Sequence, residues 1–341
     1  MKKKVVRFDF WLNPAFNRHM SGLKDIEVSV CHYADDEHKT LALFKEAHIY
    51  HICAARDEVP SQWLVDEALL SKMPNLLCAS TSGAGYDPVD VEACNRHGVL
   101  VVNQSGCNAN SVAEHAIGML LSVKHRITES DRVMRANAYT TREDLMGNDI
   151  RGSTIGIVGV GNIGTRMAEL AKGFDMTVLG YDPYLTDEEI KRRGATPVSF
   201  EDLLARSDVV TVHCPRTPET LNWIGEKEFR AMKKGAVFIA TARGGIHDEQ
   251  ALYEALRDKH LSGAGLDVWS VEPPAPDNPL LSLPNVTATY HTAGVKHEAR
   301  GNAAAMGAAQ IEVILRGERP PRLVNPEVLP VFFERYKKMF G

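Results

Sequence analysis

Closely spaced cysteines, a basic excess, a long apolar run and any fixed-period repeat are all missing from this 341-residue sequence. The six cysteines (Cys31, Cys53, Cys78, Cys94, Cys107, Cys214) lie far apart with no C-x-x-C pair. That spacing supports neither a disulfide framework nor a zinc site, and it predicts small buried hydrophobes with no metal. Lys and Arg number 39 against 44 Asp and Glu, a net charge of −5. Without a basic excess, nucleic acid and anionic membrane surfaces are not expected partners. No stretch reaches the roughly 18 apolar residues of a membrane span. Three lysines open the chain in the manner of a signal peptide, but Arg7 and Asp9 interrupt the apolar run that would have to follow. The sequence therefore reads as cytoplasmic, with no targeting segment.

What is present is the balance of an ordinary globular protein, 44% hydrophobic and 24% charged, at a length that suits about two domains. From about Arg151 onward, apolar β-branched runs alternate with amphipathic stretches. Expected strands are 154–158, 177–181, 209–213, 237–240, 265–268 and 286–290. Expected helices are 164–173, 200–206, 227–233 and 248–259, with Ser199 and Asp202 resembling a capping box. Strands of continuous apolar character separated by helices predict βαβ units and a parallel sheet covered on both faces. The first hundred residues repeat the alternation more weakly, with short strands expected at 5–8, 27–30, 51–54, 76–79 and 100–102. One long helix is expected over 109–134 and another over about 297–316. The simplest packing returns the latter to the first domain, giving one domain of 1–107 plus 295–341 and a second of 108–294. The aromatic tail Val331–Tyr336 is expected to expose its three rings and dock onto the first domain.

Gly159-x-Gly161-x-x-Gly164 stands directly after the strand 154–158 and opens a helix. The first glycine permits a tight turn, the second lets backbone approach a pyrophosphate, and the third allows close packing of helix on strand. The helix start, with Asn162 and Ile163 presenting backbone, then meets the phosphate charge. Asp182 follows Gly164 by eighteen residues at the end of the next strand. An acidic residue at about that distance accepts hydrogen bonds from an adenosine ribose and repels a 2′-phosphate. NAD is expected as cofactor, with NADH favoured over NADPH.

Three polar side chains fall just beyond later strands: Arg243 in Thr-Ala-Arg-Gly-Gly, Glu272 in Asp267-Val-Trp-Ser-Val-Glu-Pro, and His291 in His-Thr-Ala-Gly. Ligands of an open α/β sheet bind at that edge. Together with the glycine loop, Ser82-Gly-Ala-Gly-Tyr-Asp and Asn110-Ser-Val-Ala-Glu-His, these segments resemble the D-isomer-specific 2-hydroxyacid dehydrogenase family, which includes phosphoglycerate dehydrogenases and glyoxylate–hydroxypyruvate reductases. The resemblance covers about residues 80–325. It implies an α/β fold of two domains, a Rossmann doubly wound NAD domain inserted in a flavodoxin-like substrate domain. It also implies hydride transfer between NAD and a small 2-keto or 2-hydroxy acid. Alone, each of the three residues suits a surface ion pair, a solvated loop or a satisfied core position; their joint order carries the functional reading.

In that reading His291 is the general acid and base, since an imidazole titrates near neutrality, and Glu272 raises its pKa. Arg243 offers a planar fork of donors to the substrate carboxylate. The resemblance further implies that Asp267 holds the nicotinamide carboxamide and that Thr241 and Pro215 border the cofactor. Backbone N–H groups of Ser82, Gly83 and Ala84 are expected to cradle the substrate carboxylate. His213 is read as a satisfied strand-end residue, and Trp269 as either a pocket wall or sheet packing. Ala54 stands where phosphoglycerate-oxidising relatives commonly carry an arginine, which leaves Arg56 alone to favour a phosphorylated substrate. A homodimer is expected, with residues 108–145 as the arm. The alternative from another class is an NAD(H)-responsive, corepressor-like binding protein on the same scaffold.

Overall fold

The computed structural model describes residues 2–138 and 140–341. They divide into two compact units, residues 1–108 with 297–341 and residues 109–296. The first begins with β1 (Lys3–Phe8), α1 (Ala15–Ser21), β2 (Ile26–Cys31), α2 (Glu37–Glu46) and β3 (Ile49–Ile52). It continues with α3 (Glu67–Leu70), β4 (Cys78–Thr81), α4 (Val91–His97) and β5 (Leu100–Val102). Its parallel sheet has the order β2-β1-β3-β4-β5, so the strand order reverses between β1 and β3.

The second unit opens with α5 (Ala109–Lys124) and α6 (Ile127–Arg135), followed by β6 (Thr154–Val158), α7 (Asn162–Gly173), β7 (Thr177–Tyr181) and α8 (Asp187–Arg192). Then come β8 (Thr196–Pro197), α9 (Phe200–Arg206), β9 (Val209–Val212), α10 (Glu226–Ala231), β10 (Val237–Ala240) and α11 (Glu249–Arg257). It closes with β11 (Gly263–Leu266), α12 (Pro279–Ser282) and β12 (Val286–Ala288). The seven strands are parallel in the order β12-β11-β10-β9-β6-β7-β8, the doubly wound arrangement with its reversal between β6 and β9. The chain then re-enters the first unit as α13 (His297–Leu315) and α14 (Leu329–Phe340).

Period-2 alternation divides each sheet between two cores. In β10, Val237 and Ile239 pack on the α5 and α7 side, while Phe238 and Ala240 pack with Leu252 and Leu256 of α11. Both sets are fully or nearly fully buried, which explains why the strand reads as an unbroken apolar run. In β1, Val6 and Phe8 face Phe44 and Trp63, whereas Val5 faces Phe16 of α1 and Ala304, Ala308 and Ile311 of α13. Short alanines on α13 let it lie close over the sheet, and Phe332 of α14 completes that core at 0% exposure. The tail thus buries Phe332 and leaves Phe333 exposed at 42%, correcting the expectation of three exposed rings.

The expected helix over 109–134 is two helices. Arg126 adopts φ 56° at the break, and its guanidinium pairs with Glu129 at 2.7 Å. None of the residues of α6 is buried, and Met134 is 79% exposed. All six cysteines are unpaired; five are buried and Cys214 is half-buried. Burial raises every one of the thiols, Cys94 to about 12 and Cys107 and Cys214 to about 11. Among the described residues no helix is long and apolar enough to cross a membrane.

Candidate active site

The glycine loop follows β6, at the reversal of the second sheet. Gly159 has φ 88°, and a Cβ there would stand 2.7 Å from the Cys214 backbone nitrogen after β9. A Cβ on Gly164 would meet the Gly159 carbonyl at 2.2 Å, so helix α7 sits on the loop at a distance only glycine allows. At Gly161 nothing lies within 4 Å of the same point. The open face of the loop is therefore where a pyrophosphate has room, over the N-terminus of a twelve-residue helix that starts at Asn162 and whose N-cap, Gly161, has no side chain to cap it. Asn162 is exposed, and Ile163 half-buried.

Asp182 lies at the end of β7 and braces this loop. Its Oδ2 accepts the Val160 N–H at 3.0 Å, and its Oδ1 accepts the Tyr184 N–H at 3.0 Å. Arg193 reaches the same residue from the other side, Nη1 donating to the Val160 carbonyl at 2.7 Å. Asp182 remains half-buried at the loop edge, and Tyr184 beside it is 84% exposed.

Arg243, Glu272 and His291 come together beyond β10, β11 and β12. His291 Nδ1 lies 2.8 Å from Glu272 Oε2, and Glu272 Oε1 accepts the Trp269 N–H at 3.0 Å. The bond to Glu272 raises the His291 pKa above its ordinary value and outweighs both burial and the opposing charge of Arg243. Burial pushes Glu272 the other way, but its bonds from His291 and Trp269, aided by Arg243, hold it below the usual carboxylate range. Arg243 therefore acts on both partners. Its Nη1 also donates to the Ala242 carbonyl at 2.8 Å.

His291 has φ 51°, a left-handed conformation that few side chains adopt. Asp267 explains how it is held. The Asp267 carbonyl accepts the His291 N–H at 2.7 Å, and its carboxylate accepts Thr289 Oγ1 at 2.5 Å and the Thr292 and Ala293 N–H groups at 2.8 and 2.9 Å. Asp267 is 0% exposed. Its carboxylate thus braces the turn that carries His291. Trp269 is likewise core, 3% exposed, with Nε1 donating to the Thr289 carbonyl at 3.1 Å. Gly244 is needed by the same junction, since a Cβ there would overlap the Trp269 carbonyl oxygen at 1.7 Å.

The other expected residues are placed as follows. Thr241 is buried with no partner for Oγ1, and Pro215 is exposed beyond β9. His213 is buried enough to titrate at about 4; Nε2 lies 2.9 Å from Thr211 Oγ1, but Nδ1 has no partner, so it is only half satisfied. In the first unit the Ser82 N–H donates to the Ile52 carbonyl at 2.8 Å in the extension of the sheet ladder. Gly83 packs where a Cβ would stand 2.9 Å from the Ala54 Cβ, and the Ala84 backbone acts on the Cys107 thiol. Arg56 is exposed, with Nη1 3.4 Å from the Asp87 carbonyl. Thr289 and Arg193 carry no motif in the sequence; Thr289, two residues before His291, has the one positional signal.

Residues 117–293 match the model of the NAD-binding domain of D-isomer specific 2-hydroxyacid dehydrogenases. The chain belongs to that family. It is 41% identical over 277 residues to a D-3-phosphoglycerate dehydrogenase of Archaeoglobus fulgidus, covering 81% of this chain and 52% of the relative. It is 39% identical over 270 residues to a glyoxylate reductase of Korarchaeum cryptofilum, covering 78% and 81%. The chain thus spans about half the length of the phosphoglycerate dehydrogenases it matches and most of the glyoxylate reductase. Among solved structures, D-lactate dehydrogenase from Aquifex aeolicus complexed with NAD and lactic acid superposes with a TM-score of 0.80 at 27% identity, over 94% of this chain and 98% of that one.

Proposed function

We propose that this family member is an NADH-dependent 2-keto acid reductase, interconverting a D-2-hydroxy acid and its keto acid with His291 as general acid and base. The observation that carries the reading is the 2.8 Å pair of His291 and Glu272 with Arg243 acting on both, at the same sheet edge as the glycine loop. The loop suits a dinucleotide: open at Gly161, closed at Gly159 and Gly164, and followed by the N-terminus of α7. Bound NADH supplies the hydride that adds to C2 of the keto acid.

The chain's own groups do the rest. Nδ1 of His291 is engaged by Glu272, so Nε2 is the nitrogen that hands a proton to the C2 oxygen as it gains charge. Ionised Glu272 keeps the ring oriented and protonated. Arg243 pairs with the substrate carboxylate through its planar fork and draws electron density toward the carbonyl oxygen. Asp182, bearing negative charge at the loop edge, favours the ribose hydroxyls of NADH over the phosphate of NADPH. Residues 108–145, with the exposed helix α6 among them, form the arm of a homodimer, and the protein works in the cytoplasm.

The test is the loss of NADH absorbance with glyoxylate, hydroxypyruvate, phosphohydroxypyruvate, pyruvate and bulkier 2-keto acids, repeated with NADPH. One clearly preferred acid with NADH is the expected result. Negligible turnover of every acid while NADH still binds overturns the reductase reading.

A further inference from the structure

The first unit carries a feature that the reductase chemistry does not use. Its sheet order reverses between β1 and β3, and the carboxyl edge at such a reversal is where open α/β sheets leave a crevice for a ligand. An opening of about 400 Å³ lies there, lined by Arg7 at the end of β1, Asp9, Phe10, Trp11 and Leu12 of the following loop, and Asn17 of α1.

Arg7 is the unusual member. Its side chain belongs to a residue only 5% exposed, yet none of the described carboxylates forms an ion pair with it. Asp9 acts on it only through space and lies 3.5 Å from His32 Nδ1. Arg7 Nη1 donates to the Phe8 carbonyl at 2.9 Å, whereas Nε, on the side-on edge of the guanidinium, has no partner. A buried, unpaired guanidinium is costly unless an anion compensates it. Its side-on edge is shaped for a planar carboxylate. Flat apolar surface stands beside it: the Phe10 ring centroid is 5.9 Å from the guanidinium carbon, and Trp11 is 63% exposed while Arg300 lies over its ring at 5.9 Å.

We infer that this opening in the first unit is a binding site for a small monocarboxylate with a flat apolar body, one whose binding does not use Arg243, Glu272 or His291. The carboxylate pairs with Arg7 and the body lies against Phe10 and Trp11. The Asp9 carboxylate offsets Arg7, and Arg300 over the Trp11 ring leaves one net positive charge, which favours a carboxylate over a phosphate dianion.

The experiment measures thermal stabilisation and binding heat with benzoate, with inorganic phosphate as comparison, on the full chain and on three variants. Arg243→Gln removes the fork assigned to the substrate carboxylate and should leave benzoate binding within about twofold. Arg7→Met should weaken it at least tenfold. Trp11→Ala, at an exposed loop position, should weaken it several-fold and serves if Arg7→Met does not fold. Loss of binding in Arg243→Gln with retention in the Arg7 and Trp11 variants places benzoate in the reductase site and overturns the inference. No saturable benzoate binding to the unsubstituted chain, or phosphate binding more tightly than benzoate, also overturns it. None of these readouts depends on turnover, so the reductase reading stands or falls separately.

Discussion

Both units present the carboxyl ends of a parallel sheet, but they use that edge differently. In the second unit the loops after β11 and β12 are locked to one another by bonds through Asp267, Trp269 and Glu272. In the first, the loop after β1 leaves Trp11 exposed, and a guanidinium goes unpaired. The lesson is that a catalytic edge is recognised less by which polar residues it holds than by how completely the surrounding backbone fixes them. His291 keeps an uncommon left-handed backbone because the Asp267 carboxylate accepts three hydrogen bonds from the turn and the Asp267 carbonyl accepts the His291 N–H.

The contrast breaks most simply at His291. His291→Gln should lower keto acid reduction by about 100- to 10,000-fold, the range of a lost general acid. Steady-state rates that survive within tenfold put the chemistry elsewhere. Asp267→Asn should follow, lowering kcat by disordering the His291 turn, while NADH affinity measured by fluorescence stays nearly unchanged.

A stability measurement sharpens the contrast from the other side. The core beneath the first sheet depends on the returning segment, where Phe332 is fully buried. Phe332→Ala should cost about 3–5 kcal/mol, read from the denaturant midpoint. Cofactor choice is a smaller effect. Asp182→Ser should raise NADPH use relative to NADH by about tenfold, measured as the ratio of kcat/KM values, because it removes a charge that repels a 2′-phosphate.

The smallest expected change is a displacement along the pH axis. Reduction needs the protonated His291 ring, so the rate falls as pH rises through its raised pKa, above the ordinary value near 6.5. Glu272→Gln removes the largest cause of that elevation and moves the falling limb to lower pH. The same pair contributes to stability with the same sign: the raised His291 pKa stabilises the fold fully below the unfolded value and is lost as pH climbs through the folded one. A limb that stays in place in the variant means Glu272 does not set the histidine's proton affinity.

Much of this arrangement was legible from residues alone, for a definite reason. Strands buried on both faces must be apolar throughout, so β6, β7, β10 and β5 could be located to the residue. The glycine loop was readable because each glycine answers a separate steric demand. Helices of the first unit were harder: α2 reads EHKTLALFKE, a short charged segment with only Thr40 and Phe44 buried. Strand β8 has two residues and no periodicity to detect. The break at Arg126 follows from a single left-handed residue that is not glycine, for which composition gives no warning. The bonds that Asp267 makes to the His291 turn and that the Ser82 N–H makes to Ile52 are recorded in no sequence motif.

The six sequestered thiols have a practical consequence. Oxidants and alkylating reagents attack the thiolate, and burial here suppresses its formation at every cysteine. The protein should therefore resist peroxide and iodoacetamide without added reductant. A single cysteine introduced at exposed Tyr184 or Met134 would then accept a fluorophore cleanly, with no need to delete the native ones first.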